Sequence, residues 1–538
     1  MRRRLRTTGG VAATVLAVVL VWVALTTPDR LDQVGPVAFA RLPVEALVYV
    51  ALVPLVPPRV RVAVALLAGA VLALLTVLRL LDLAFLAALN RPFDAAVDWH
   101  YAGSLVGLVR DSFGPTAGTV MLVVAGVVLL ALLVLVPLAL LRITQRVAVH
   151  RGVWLRTVLA LAVGWSVLAV LGVQVGGAPV ASSGTAHYAY LQATEIPAGI
   201  RDQRDFERAT LADPLREVPA SRLLRGLRGK DVLVVFVESY GRVAVQDSSF
   251  SSGITRVLDT GTRRLQAAGF SARTAFLTSP TFGAISWLAH STLQSGLWVD
   301  SQQRYDALVT TRRSTLSQAF KRAGWRTVGD VPANTKDWPQ SAFYGYDHLY
   351  DSRNVGYAGP RFGYPTMPDQ FTLDAFHRLE LAKADRAPVM AEIDLITSHA
   401  PWSRTPRMVD QRRVGDGSVF DAMPETLPSE GDIWPSPTRV KAAYGTSIEY
   451  SLNALVSFVQ HYGTDRTVLV VLGDHQPASI VSGRGAGHDV PVSVIARDQA
   501  VLRRIDGWGW EPGLRPSPDA PVWRMDRFRD RFLAAYDQ

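Results

Sequence analysis

The chain has 538 residues, a formal net charge of +10, 49% hydrophobic residues and no cysteine. It is too long for one ordinary domain, and the lack of cysteine excludes a disulfide framework and a thiolate metal site. The arginines form no basic stripe with interleaved aromatic residues, which argues against nucleic-acid binding.

The first third of the chain contains five long apolar runs, whereas the remainder has the composition of a globular protein. Most of the runs approach the roughly 20 residues that cross a bilayer, and the second is shorter. A signal peptide, suggested by MRRRLR at the start, would explain only the first run. The pattern therefore predicts a membrane α-helical bundle of five spans over residues 1–175. The runs are Val11–Thr27, Leu42–Pro57, Val62–Leu86, Thr116–Leu141 and Val158–Val175.

The loops between these runs differ in charge. The N-terminus and the second and fourth loops are rich in arginine, while the first and third loops mix arginine with aspartate. The positive-inside rule puts the basic loops in the cytoplasm. With five spans, everything after about Val175 is then outside, as expected for a multi-pass protein of the plasma membrane.

Residues 176–230 form the connection to the outer part of the chain. This segment begins with small residues and becomes charged from Ile200 to Leu227, where the pattern is compatible with a helix. Two interpretations remain open, a solvated linker and a helix on the membrane surface. From residue 231 to 538, short apolar runs alternate with helix-like segments, which predicts an α/β domain with a mostly parallel sheet.

Three strand-like runs of this outer domain end in groups that can bind metal or move protons. DVLVVFV ends at Glu238, a second run ends at His399, and TVLVVL leads to Asp474 and His475. Ligands bind outside the carboxyl ends of parallel strands, so these side chains are expected at one edge of the sheet. Two carboxylates and an imidazole suit zinc or manganese.

A nucleophile for this site is sought in the stretch LTSPTFGAISWLAHSTLQSG, residues 277–296. Pro280 interrupts the chain, and a helix is predicted from about Ala284 to Leu293. Thr281 would lie just before the helix N-terminus, where backbone N–H groups and the helix dipole favour a phosphate. The alternative is that Thr281 or Ser279 only caps the helix.

The order of these motifs resembles the alkaline phosphatase superfamily in its sulfatase-like branch. More narrowly, VFVES, TSHAPW and GDH, together with five spans, resemble the membrane phosphoglycerol and phosphoethanolamine transferases such as lipoteichoic acid synthase. A true sulfatase would show a C/S-x-P-x-R motif, which SPTFG lacks. The resemblance covers nearly the whole chain and implies a sulfatase-like fold for residues 231–538.

The resemblance also implies roles for individual residues. Glu238, Asp474 and His475 match the family's metal ligands, and Thr281 matches a nucleophilic threonine that also binds the metal. The family's lead-in GKT or CGT is SPT here, so Ser279 and Ser286 remain alternatives to Thr281. Two histidines match groups that act on the substrate. These are His399 in TSHAPW and His488 in GAGHDVPV.

The resemblance implies an enzyme with one divalent metal ion, zinc or manganese. We expect it to transfer a phosphoglycerol- or phosphoethanolamine-type head group from a membrane lipid to a cell-envelope polymer or lipid, through a phosphothreonine. The alternative is a sulfatase-like hydrolase: a phosphodiesterase, a phosphatase or a sulfuric ester hydrolase. A metal-free structural relative is a third possibility, against which the presence of all four expected ligands argues.

Overall fold

The computed structural model describes residues 2–95, 98–100, 115–149, 151–175, 178–246, 248–483 and 485–537. The chain separates into two compact units. The boundary between them falls inside a helix, Gly184–Leu211, which occupies much of the predicted linker. The first unit comprises Met1–Ala87 and Arg91–Gln203, and the second Ala88–Asn90 and Arg204–Gln538.

The first unit is built from apolar helices that coincide with the five predicted runs. Two of them, Pro58–Leu86 and Thr119–Val149, are long and apolar enough to cross a membrane, and the apolar parts of the other three are shorter. The prediction of five spans therefore remains a prediction. The helices are Arg2–Thr26, Val44–Leu52, Pro58–Leu89, Pro115–Val149 and Arg151–Val170.

Small residues allow close helix packing in this unit. A side chain added at Gly69 would meet the Pro137 backbone at 2.4 Å, so these two helices approach more closely than larger residues would permit. The described residues of this unit also form four two-residue strands. They are β1 (Leu42–Pro43), β2 (Gln174–Val175), β3 (Ala178–Pro179) and β4 (Ala181–Ser182).

The second unit is organised around a nine-stranded, mostly parallel sheet. The strand order is β12-β6-β11-β10-β5-β9-β7-β8, with β13 pairing to β6. The predicted α/β fold with a mostly parallel sheet is thus confirmed for this unit. The strands are β5 (Asp231–Val237), β6 (Ser271–Thr278), β7 (Arg326–Val331), β8 (His348–Asp351), β9 (Val389–Leu395), β10 (Thr467–Gly473), β11 (Asp489–Ala496), β12 (Glu511–Pro512) and β13 (Val522–Arg524).

Helices cover both faces of this sheet, and this explains the continuous apolar runs of its central strands. Every residue of β5 and β10 is buried, and their side chains point alternately into two separate hydrophobic cores. The α-helices of at least five residues in the described part of this unit are Ser251–Ala267, Ser286–Ser295, Gln302–Val309, Leu316–Arg322, Asp369–Phe376, Pro437–Tyr462, Gln499–Arg503 and Phe528–Tyr536.

Candidate active site

Three predicted metal ligands meet at the carboxyl ends of two adjacent parallel strands. Glu238 follows β5, and Asp474 and His475 follow β10, which pairs with β5 along its whole length. His475 Nε2 lies 3.3 Å from Glu238 Oε1 and 3.5 Å from Asp474 Oδ2. The side chains of Asp474 and His475 are each only 1% exposed, and that of Glu238 is 11% exposed, so the cluster is closed to water except at Glu238.

Backbone contacts fix two of these side chains. Asp474 Oδ1 accepts hydrogen bonds from the backbone N–H groups of Ser239 and His475, both at 2.7 Å. His475 Nδ1 lies 2.8 Å from the Gln476 carbonyl, to which it can only donate. In a neutral imidazole, Nε2 then carries the lone pair that faces the two carboxylates.

The three groups strongly affect one another's protonation. Burial raises the pKa of Asp474 to about 7, and the adjacent Glu238 carboxylate adds to the rise. Burial alone would raise the pKa of Glu238, but electrostatic interactions with His399 and His475 outweigh it and hold that pKa well below its usual range. Burial would lower the pKa of His475, but Asp474 and Glu238 raise it to about 9.

The cluster suits a divalent metal ion on geometric grounds. Asp474 Oδ2 is buried and has no hydrogen-bond partner among the described residues, as expected of an atom reserved for a metal. Zinc with bonds of ~2.0–2.1 Å has tetrahedral ligands ~3.3–3.4 Å apart. The separations of 3.3 and 3.5 Å from His475 Nε2 to the carboxylates match this spacing.

Among the described residues, two side-chain hydroxyls donate to the Glu238 carboxylate: that of its neighbour Ser239, to Oε1 at 3.1 Å, and that of Ser286. Ser286 Oγ donates to Glu238 Oε2 at 3.0 Å and lies 3.3 Å from His475 Nε2. Ser286 is the first residue of the helix Ser286–Ser295, so its side chain is placed where the helix dipole favours an anion.

Thr281 and Ser279, the other candidate nucleophiles, make different contacts. Thr281 Oγ1 donates to the Ala284 carbonyl at 2.7 Å, a bond that stabilises the loop before the helix. Ser279 Oγ donates to the Asp474 carbonyl at 2.6 Å and so links that loop to the metal-ligand segment. Thr281 as nucleophile and metal ligand remains a prediction, but the contacts favour Ser286. Ser286 rather than Thr281 lies at the helix N-terminus because the helix begins at Ser286, two residues later than expected.

Backbone strain occurs at the residue immediately before Ser286. Ile285 has φ 70°, a left-handed conformation that is rare for a β-branched residue. Such strain persists only where the surrounding structure enforces it, and it often occurs at functional sites. Here it turns the chain so that the hydroxyl of the next residue meets Glu238.

The two predicted substrate histidines make contacts with different neighbours. His399 stacks on Tyr364 with ring centroids 3.6 Å apart, and its charge acts on Glu238. His488 lies against the loop before Ser286, because its carbonyl accepts from Ser279 N at 2.9 Å and its ring lies 5.4 Å from that of Phe282. The roles of both histidines remain predictions.

Comparison with protein families identifies this domain. Residues 230–492 match the Sulfatase family. The second unit therefore contains a sulfatase-like domain. The predicted sulfatase-like resemblance is therefore confirmed for this domain. No curated protein sequence matches the chain.

Solved structures with similarity to the chain include three bacterial enzymes. Lipoteichoic acid synthase LtaP from Listeria monocytogenes is 14% identical over 51% of this chain and 66% of its own, with a TM-score of 0.36. This chain thus spans slightly less than two thirds of LtaP. The soluble domain of lipooligosaccharide phosphoethanolamine transferase A from Neisseria meningitidis is 15% identical, over 57% and 88%, with a TM-score of 0.36. The phosphoglycerol transferase GacH from Streptococcus pyogenes is 12% identical, over 62% and 91%, with a TM-score of 0.35.

Proposed function

We propose that this protein transfers a phosphoryl-linked head group from a membrane phospholipid to a hydroxyl of a cell-envelope acceptor. The observation that carries the proposal is the contact of the Ser286 hydroxyl with Glu238 and His475 at the N-terminus of a helix. A hydroxyl between metal-ligand side chains and an anion-favouring helix terminus suits nucleophilic attack on phosphorus.

Glu238, Asp474 and His475 would hold one divalent metal ion, zinc or manganese. When bound, the ion supplies Lewis acidity and lowers the pKa of a nearby hydroxyl. The protein contributes orientation: Asp474 is fixed by two backbone N–H groups, and His475 by the Gln476 carbonyl.

In the first step, Ser286 Oγ forms a bond to phosphorus and gives up its proton to water, while the bond from phosphorus to the lipid alcohol breaks. The departing diacylglycerol oxygen takes up a proton, for which His399 and His488 are the candidate donors. In the second step an acceptor hydroxyl attacks the phosphoserine, forms the new ester and regenerates Ser286. The contacts favour this serine over Thr281 as the residue that carries the intermediate.

The membrane donor is supported by the first unit, whose two long apolar helices suit residence in a bilayer. We place the second unit outside the cytoplasm of a multi-pass membrane protein, on the basis of the arginine distribution. Phosphatidylglycerol and phosphatidylethanolamine are the donor classes to test first.

The test uses the full-length protein in vesicles of each phospholipid, loaded with zinc or manganese. Diacylglycerol release should occur, should increase when an envelope glycolipid or glycopolymer acceptor is added, and should be lost in Ser286→Ala. Release that is constant with acceptor and accompanied by free phosphorylated head group would instead identify a hydrolase. Cleavage of soluble phosphate or sulfate esters at a rate equal to that for lipids would also identify a hydrolase.

A further inference from the structure

A second group of metal-ligand side chains lies next to the candidate active site. His290 Nδ1 is 3.0 Å from Glu392 Oε1 and 3.5 Å from Asp394 Oδ1, and one ligand atom from each of the three residues lies within 4.8 Å of the other two. These separations are close to the ~3.3–3.4 Å between tetrahedral zinc ligands. We call these three residues the inner cluster.

The sequence explains why these side chains meet. In β9, VMAEIDL, Glu392 and Asp394 are two residues apart and therefore lie on one face of the sheet. His290 follows Ser286 by four residues on the same helix, so both project from the same helical face. The helix Ser286–Ser295 thus contributes Ser286 to the candidate active site and His290 to the inner cluster.

Strand register gives the position of the inner cluster relative to the first. Phe236 of β5 pairs with Asp394 of β9, and Glu238 comes two residues after Phe236. Two residues along a strand correspond to roughly 7 Å. The Phe236 ring also stacks on His290, with centroids 3.8 Å apart. The inner cluster therefore lies roughly 7 Å farther than Glu238 from the carboxyl ends of the strands.

The charges of the two clusters need positive counterparts. Together they contain four carboxylates, those of Glu238, Asp474, Glu392 and Asp394, and two imidazoles. Among the residues that the structure describes, their only ion pairs are with His290 and His475, and no lysine or arginine takes part. Burying unpaired charge is costly. Two divalent cations with neutral histidines would balance the four negative charges.

The alternative to a second metal ion is a protonated His290 shared by the carboxylates of Glu392 and Asp394. The hydrogen bonding of their oxygen atoms argues against it. Asp394 Oδ1 is buried and lacks a hydrogen-bond partner among the described residues, so a histidine bridge would leave it unsatisfied. Gln294 donates to Glu392 Oε2, which fixes that carboxylate with Oε1 toward His290. Such an outer hydrogen bond is typical of a carboxylate that ligates a metal.

We propose that His290, Glu392 and Asp394 bind a second divalent cation, zinc or manganese, in addition to the one at Glu238, Asp474 and His475. This site would anchor the helix Ser286–Ser295 to the sheet and so hold the Ser286 hydroxyl in position. The proposal is independent of which ester the enzyme cleaves.

Metal stoichiometry tests this proposal without any measurement of activity. Purified full-length protein in detergent is loaded with zinc, dialysed and analysed by elemental mass spectrometry. We expect two zinc ions per chain in the wild type, one in Glu392→Gln, one in Asp474→Asn and none in the double variant. Glu380→Gln is the matched control, because Glu380 is also buried but pairs with Arg326; it should retain two ions.

One zinc ion in both the wild type and Glu392→Gln would overturn the proposal, as would two ions in both. Should Glu392→Gln fail to fold by circular dichroism, the more exposed Asp394→Asn replaces it. The manganese-loaded wild type decides the matter without a variant. Two ions this close should give an electron paramagnetic resonance spectrum broadened by their interaction, whereas the sharp six-line spectrum of an isolated ion would contradict two adjacent sites.

Discussion

The Ser286 hydroxyl donates a 3.0 Å hydrogen bond to the Glu238 carboxylate and so joins the start of a helix to the end of the central strand β5. The two residues are 48 positions apart in the sequence. Their contact gives the sulfatase-like domain a candidate nucleophile next to three predicted metal ligands, and the predictions below depend on it.

The first prediction distinguishes the candidate nucleophiles. Ser286→Ala should reduce diacylglycerol release by about 10³-fold or more, because removing a nucleophile eliminates the covalent route. Thr281→Ala should reduce it far less, since its hydroxyl bonds to the Ala284 carbonyl. Initial rates on phospholipid vesicles provide the measurement. The reverse order of effects would restore Thr281 as the nucleophile.

The second prediction concerns the pH dependence of metal binding. A metal ion binds the deprotonated ligands, so it competes with protons on Asp474, with a pKa of about 7, and on His475, with a pKa of about 9. The apparent zinc dissociation constant should therefore fall between pH 6 and pH 8, by about tenfold per pH unit for each proton displaced.

Competition with a chelating dye at several pH values measures this constant. Asp474→Asn should bind more weakly and with a flatter pH profile, because one titrating ligand is gone. Equal affinity of the wild type at pH 6 and pH 8 would show that these groups do not bind the ion.

The third prediction assigns His399 to the substrate. His399→Ala should lower turnover by about 10²–10⁴-fold, the range for loss of a general acid, while the metal content is unchanged. Elemental analysis and steady-state rates on the same preparation separate the two effects. Loss of metal from His399→Ala would make this histidine a ligand. Restoration of turnover by a leaving group that needs no proton would support its role as an acid.

The fourth prediction concerns topology. Five spans with basic loops in the cytoplasm put the C-terminus outside. A reporter that is active only in the cytoplasm, fused after the last residue, should give no signal, whereas one that is active only outside should give a strong signal. The same reporters placed after Arg146, which follows the fourth apolar run, serve as the control and should give the opposite result, a signal from the cytoplasmic reporter only. A cytoplasmic signal at the C-terminus would rule out an outer lipid donor.

The meeting of Glu238, Asp474 and His475 could be predicted because the strands that carry them are encoded locally. Buried valine-rich strands mark β5 and β10, and in a parallel sheet their ends must meet, so Glu238, Asp474 and His475 follow from sequence. The nucleophile could not be settled in this way. Its identity depends on where the helix begins, and the left-handed Ile285 that sets this start has no signature in the sequence.

Other features depended on tertiary pairing. The strand β6, SARTAFLT, begins with Ser271, contains Arg273 and ends with Thr278, so it is not a continuous apolar run. It is stabilised by pairing with β11, β12 and β13. The alternation of Glu392 and Asp394 in β9 is visible in the sequence and indicates a polar strip on one face. Only the packing of the helix Ser286–Ser295 brings His290 to it.

The central claim, ester chemistry through Ser286, is tested most directly by locating the covalent intermediate. Trypsin should release residues 274–304, which include Ser279, Thr281 and Ser286. After incubation of metal-loaded, full-length protein with phospholipid vesicles and acid quenching, fragmentation mass spectrometry of this peptide should show a phosphoryl-linked head group on Ser286, absent from metal-free protein. Modification of Thr281, with Ser286 unmodified, would contradict the account.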